Sequence, residues 1–221
     1  MDPEVAHYKR LLEMAFENAE RSISKLPPEI LQMEGMTGTK TRHFYNHLLQ
    51  IPDARYLEIG TWKGSSVCSA MYGNSAKVLC IDNWSEFNGP KQEFLANFET
   101  YKGSNDACFL EKDCFQVDTS TLSKFNIFLY DGNHEEASHY KALVHYLPCM
   151  EDRFIFIVDD WNWDYVRKGT LDSIETLGLE ILYKKSIRLT QDNSHTPLEK
   201  AKQTWWNGIF VALLQKPPPP N

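Results

Sequence analysis

The chain has 221 residues, 42% of them hydrophobic and 24% charged, which is enough apolar material for one substantial core and too much for a disordered segment. Its net charge of -7 argues against nucleic acid as a partner, because phosphate binding needs a basic surface. No run approaches the roughly 18 consecutive apolar residues that a membrane helix needs, so no membrane partner is expected.

Residues 3–25 carry helical periodicity, with Val5, Tyr8, Leu12, Ala15, Phe16 and Ala19 near one face, and Pro27-Pro28 closes the pattern. That opening has the charge spacing of an amphipathic helix rather than the apolar centre of a signal peptide, so a cytoplasmic protein is expected. After the turn "EGMTGT", the stretch "KTRHFYNHLLQI" reads as a second helix ending before Pro52. Strand and helix then alternate: "ARYLEIG", helix "SSVCSAMYG", "KVLCID", helix "KQEFLANFETYK", the weak strand "ACFLEKD", "NIFLYD", helix "EEASHYKALVHYL", and "FIFIVDD". This alternation is the pattern of a doubly wound parallel sheet.

The ending breaks the pattern. "LEILYKKSIRL" and "WWNGIFVALLQK" are strand-like runs separated by a polar loop, without a convincing long helix, and predict an antiparallel hairpin. The expected organisation is an N-terminal helical extension over 1–50, serving as a cap or an oligomer contact, a ligand-binding domain over 51–216, and a proline-rich tail over 217–221. The five cysteines, Cys68, Cys80, Cys108, Cys114 and Cys149, form no C-x-x-C pair and read as packed, reduced thiols rather than a zinc site or nucleophile.

"YLEIGTWKGSS" follows a strand and opens a helix. Gly60 and Gly64 let the backbone turn sharply against a ligand, and the amides from Thr61 to Ser66 face outward at the helix start. The spacing is not the G-x-G-x-x-G of dinucleotide sites, so a nicotinamide dehydrogenase ranks last. Glu58 suits a cationic or amino-bearing ligand end. Asp82 closes the next strand, where an acid can accept ribose hydroxyls, and Trp84 lies just beyond it. Asp113-Cys114 closes the third strand, beside the expected base. Together these positions describe a pocket shaped for S-adenosylmethionine.

Glu58-x-Gly60-x-x-x-Gly64, Asp82 and the terminal hairpin resemble class I S-adenosylmethionine-dependent methyltransferases. The resemblance implies a Rossmann-like α/β fold with a seven-stranded sheet whose last strand is antiparallel, plus N-terminal helices.

Asp131 ends the strand "NIFLYD", and Asp159-Asp160 end "FIFIVDD", so their carboxylates are expected to converge at the sheet edge where open α/β folds bind ligands. Crowded acids repel one another unless a cation intervenes, and oxygen ligands without cysteine favour a hard ion such as magnesium. Such an ion can lower the pKa of a bound hydroxyl while His134 takes the proton, and the oxygen attacks the sulfonium methyl in line. The bland alternative makes these acids ordinary strand-end caps.

"YDGNH" with "VDDW" resembles the divalent-metal sugar O-methyltransferases of the macrocin and mycinamicin type. Carried over by position, the resemblance implies Asp131, Asp159 and Asp160 as metal ligands and His134 as base. Some relatives have an acid where this chain has Asn133, so the base assignment rests on His134. The expected acceptor is a small hydroxylated molecule, a sugar or glycosylated natural product, with Trp161 the preferred pocket residue. Trp62, Trp84, Trp163, Trp205 and Trp206 are further aromatic candidates, and the polar segment 190–204 is a candidate lid. Two alternatives stand beside this reading: a catechol- or phenol-type O-methyltransferase, and a non-catalytic cofactor-binding partner subunit.

Overall fold

A computed structural model describes residues 2–218; the last residues of the expected tail, 219–221, lie outside the described residues. Seven strands form one sheet: β1 (Arg55–Ile59), β2 (Lys77–Asp82), β3 (Asp106–Glu111), β4 (Phe125–Tyr130), β5 (Met150–Asp159), β6 (Glu180–Ile187) and β7 (Ile209–Gln215). The spatial order is β3-β2-β1-β4-β5-β7-β6. The first five strands run parallel, and β7 is antiparallel to both β5 and β6. This is the doubly wound sheet with an antiparallel last strand that the sequence implies.

Alternation along the strands divides two cores. Tyr56, Ile127, Leu129, Ile155, Ile157, Val211 and Leu213 face one side, where α1 (Pro3–Glu20), α3 (Thr39–Leu48), α4 (Ser65–Met71) and α5 (Lys91–Tyr101) supply Leu12, Phe16, Phe44, Val67 and Phe94; a one-turn α2 (Pro28–Leu31) precedes α3. Leu57, Phe128, Tyr130, Phe156 and Phe210 face the other side, covered by α6 (Glu136–Tyr146) and α7 (Asp164–Thr176) through Leu143, Tyr146 and Val166. The central strands are apolar on both faces because helices cover both. α1 is built into the first core: Phe16 packs against Phe44 and Trp205, with ring centroids 4.5 and 5.4 Å away.

Two helical segments depart from the sequence reading. α1 stops at Glu20, five residues short of the expected end, where Ser22 adopts a left-handed φ of 55°. α7 occupies a stretch to which sequence periodicity assigns no element. Its polar composition hides it, and Gly169 sits where a Cβ would lie 2.1 Å from the Glu136 carbonyl oxygen, so α6 and α7 pack backbone to backbone. A short α8 (Leu198–Gln203) lies within the polar loop before β7. Among the described residues, no helix is long and apolar enough to cross a membrane.

Candidate active site

A cavity of about 870 Å³ opens at the C-terminal ends of β1 to β5, the edge at which parallel α/β sheets place ligands. Backbone strain gathers around it. Among the described residues, nine that are not glycine have positive φ, and five of these, Trp62, Trp84, Phe87, Asp160 and Trp206, line the cavity. Such conformations persist only where surrounding structure enforces them, and they concentrate at functional sites.

The glycine turn closes the floor. Gly60 has φ +85°, and a Cβ there would lie 2.0 Å from the Asp131 carbonyl oxygen, so only glycine lets β1 turn so close to β4. Gly64, at φ +86°, precedes α4 but does not line the cavity; Gly60, Thr61 and Ser66 do. Asp82 organises this end. Its carboxylate accepts the backbone N–H of Thr61 at 2.8 Å, of Trp62 at 2.9 Å and of Trp84 at 2.7 Å. The Thr61 hydroxyl adds a longer contact at 3.4 Å, so the carboxylate's roughly four acceptor positions are largely engaged by the loops themselves. Trp84 lines the cavity while its indole N–H donates to the Trp62 carbonyl and its ring packs on Phe94. Asp113 and Cys114 line the far end, where Asp113 caps a short turn by accepting the Phe115 N–H at 2.9 Å.

Glu58 is a correction to the sequence reading. It does not reach the cavity; it is fully buried beneath the turn, accepting hydroxyls from Tyr56 at 2.6 Å and Ser66 at 2.5 Å. Burial pushes its pKa up to about 8 against the opposing pull of those two hydrogen bonds. Glu58 therefore props the turn through Ser66 rather than meeting an amino group.

Asp131, His134 and Asp160 form the acidic end, with ligand atoms all within 4.8 Å of one another. His134 Nε2 lies 2.6 Å from Asp160 Oδ2 and 3.7 Å from Asp131 Oδ1. The close approach is off the ring N–H direction and makes no aligned hydrogen bond, so it is an ion-pair contact. Burial by itself lowers the His134 pKa, but the two carboxylates outweigh it and hold the ring as imidazolium near neutrality. Asp131 is shifted upward, first by burial and then by the Asp160 charge, with His134 opposing.

Asp159 stands outside this trio, where sequence placed it within a joint grip. It shares the sheet face of Ile155 and Ile157, lines no part of the cavity, and keeps Oδ1 buried with no hydrogen-bond partner. Burial, then the charges of Asp131 and Asp160, raise its pKa well above the carboxylate range. Asp160 reaches the cavity because its left-handed backbone, φ 56°, turns the chain out of β5. An orphaned buried oxygen beside two further carboxylates, with the His134 ring against them, is a donor set that fits a hard divalent ion.

The aromatic wall also differs from expectation. Trp161, the preferred pocket residue, stacks on Phe210 at 4.4 Å inside the second core and does not line the cavity. The turn at Asp160 puts Trp163 there instead. Its ring stands edge-on between His134, at 5.2 Å, and His195, at 4.9 Å. Trp206 lines the cavity, whereas Trp205 packs on Phe16 and donates to Glu20.

The polar segment before β7 contributes His195, Thr196, Pro197 and Leu198 to the wall. Two buried amides hold it down. Asn162 accepts from the N–H groups of Leu189 and Thr190 and donates to Thr196 Oγ1 at 3.0 Å; Asn207 accepts the Thr196 N–H at 2.9 Å and donates to Asp160 Oδ1 at 2.7 Å. His195 and Asn207 escape sequence reading because no motif marks them. The only signal is that an otherwise polar loop lies next to Trp206 and a glycine at 208.

A family model described as a methyltransferase domain matches residues 57–161, the span that builds the glycine turn, Asp82 and the acidic end. No curated protein matches the chain by sequence. Several solved structures share its fold. An O-methyltransferase from Bacillus cereus in complex with SAH superposes with a TM-score of 0.56 at 17% identity, covering 93% of this chain and 91% of that one. The O-methyltransferase TomG from Streptomyces achromogenes, involved in tomaymycin synthesis and solved with SAM, gives 0.54 at 14%, covering 93% and 89%. A putative RNA methyltransferase from Pyrococcus horikoshii gives 0.55 at 14%, covering 94% and 98%. The fold is thus the Rossmann-like one that these methyltransferases share, and at these identities the likeness is one of fold alone.

Proposed function

We propose that the protein transfers a methyl group from S-adenosylmethionine to a hydroxyl of a small acceptor, a sugar or a phenol, with help from a divalent cation such as magnesium. The observation that carries this reading is the placement of Asp131, His134 and Asp160 in the same cavity as the turn at Gly60 and Asp82. One end can seat a nucleoside, and the other can activate a hydroxyl.

The donor supplies an electrophilic methyl on a cationic sulfonium. Around it, the Gly60 turn gives close backbone approach and the Asp82-stapled loops fix the adenosine end. Asp131 and Asp160 would hold the cation, with the buried Asp159 adding negative charge behind them, and the cation would supply Lewis-acid polarisation of the acceptor hydroxyl. His134 sits beside this point. As imidazolium it donates rather than accepts, so its role as base requires the two carboxylates to be balanced by another charge. Trp163 and Trp206 supply flat apolar walls suited to a sugar or aromatic ring.

The test is twofold. Calorimetry should detect binding of S-adenosylhomocysteine with or without EDTA. Methyl transfer to a panel of sugars and catechols should stop with EDTA and return with magnesium. Binding with no turnover on any acceptor would favour a non-catalytic subunit, and turnover indifferent to EDTA would remove the cation from the chemistry.

A further inference from the structure

We infer that the acceptor carries no anionic group: the site takes a neutral or cationic hydroxylated ring and rejects carboxylated, sulfated or phosphorylated ones. This rests on the methyltransferase reading and narrows it to a substrate class. The first support is the charge inventory of the cavity wall. Six carboxylates, Asp82, Glu86, Asp113, Asp131, Glu135 and Asp160, line it, against a single lysine or arginine, Lys112, and the His134 imidazolium, which is already held against Asp160 and Asp131.

The second support is where that lysine sits. Lys112 directly follows β3, and three strand spacings separate β3 from β4, four from β5. At about 4.8 Å per spacing, Lys112 lies roughly 14 to 19 Å from the Asp131–Asp160 end, beyond the reach of an ion pair. Other basic groups near the mouth are committed elsewhere. Lys63 pairs with Glu34 at 2.9 Å, and Arg167 donates to the carbonyls of Trp161 and Asn162. Lys200 and Lys202 belong to α8 but line no part of the cavity.

The third support is the surface offered in place of a cation. Trp163, Trp206 and the largely exposed Leu198 give apolar faces on the acceptor side. Glu135, which follows His134 in the chain, also lines the cavity, and its charge repels an anion and attracts an ammonium. A bound divalent ion would offset part of the Asp131 and Asp160 charge but would leave Glu135 uncompensated and would bring no lysine or arginine to this end. A phosphodiester or acyl-phosphate partner would bury charge against like charge, which costs far more than the apolar contact returns.

The experiment uses the full chain with S-adenosylmethionine and magnesium. Two matched sets of acceptors are compared by kcat/KM: catechols bearing an aminoethyl, methyl or carboxylate group at one ring position, and hexosides with an amino, hydroxymethyl or carboxylate substituent. In whichever set is methylated, the neutral and cationic members should exceed the anionic one by about tenfold or more. Leu198→Lys should close that gap by raising turnover of the anionic member. An anionic member that matches or beats its partners overturns the inference, as does a gap unaffected by the lysine. If calorimetry shows donor binding yet no member of either set reacts, the acceptor class is wrong while the donor reading stands. If the donor does not bind, the methyltransferase reading itself falls.

Discussion

Asn207 donates its side-chain amide to Asp160 at 2.7 Å, tying the acid at the end of β5 to the turn that leads into β7. The same side chain accepts the Thr196 N–H, so one buried residue, 5% exposed, aligns the acid and anchors the cavity wall that carries His195 and Thr196. Asn207→Ala should lower kcat/KM by roughly 10- to 100-fold and raise the magnesium concentration needed for half activity, as loss of a group that orients a metal ligand does. Unchanged magnesium dependence would leave Asn207 a purely structural anchor.

Asp160→Asn should abolish turnover while S-adenosylhomocysteine still binds nearly as before, since the stapled loops around Asp82 are remote from it. Calorimetry and a methyl-transfer assay on the same preparation check both halves. Retained activity removes Asp160 from the chemistry.

Asp82→Ala frees three backbone amides at once. The loops carrying Trp62 and Trp84 lose their shared acceptor, so donor affinity should fall at least tenfold and the melting temperature should drop by several degrees. Asp82→Asn keeps an acceptor and should recover part of the melting temperature but less of the affinity. Equal recovery of both would mean that Asp82 acts only through the loops.

Gly60→Ala forces a Cβ to within 2.0 Å of the Asp131 carbonyl oxygen at a φ of +85°. Destabilisation of a few kcal/mol is expected, together with lost donor binding, because the turn must shift away from β4. Normal denaturant unfolding of this variant would contradict the close approach.

His139 predicts an acid sensitivity. It is 1% exposed, both ring nitrogens lack partners, and its ring meets Tyr130 edge-on at 4.9 Å. Burial, helped by the nearby His134, lowers its pKa from 6.5 to about 3. The unfolded chain therefore binds a proton that the folded chain refuses between those values. Stability is full above the ordinary histidine pKa and is lost as pH falls through this window. His139→Phe should shift the acid-unfolding midpoint to lower pH. Superimposable acid-unfolding curves would rule out this source.

The sheet was legible because its strands are short apolar runs bounded by turn residues, and because strand-end acids stand out against them. Asp82, Asp131 and Asp160 were found that way, and all three line the cavity. The reading failed just past the strand ends. After the left-handed turn at Asp160, Trp161 stacks on Phe210 within the second core, whereas Trp163, packed on the same core, also reaches the cavity wall. Glu58 was misread for a related reason: position beside a glycine turn says nothing of whether a side chain points toward the ligand or the sheet. His195, Asn162 and Asn207 depend on contacts across sequence gaps that local pattern cannot report.

β7 lies between β5 and β6, yet β6 precedes it in the chain. Until residues 209–215 are in place, β6 has no neighbour to pair with and β5 exposes an open edge. The Asp160 end of the pocket, fastened through Asn207 at the mouth of β7, then also lacks its anchor. Competence to bind an acceptor should therefore arrive in a single late step, with the insertion of that strand, rather than accumulate as the parallel half assembles.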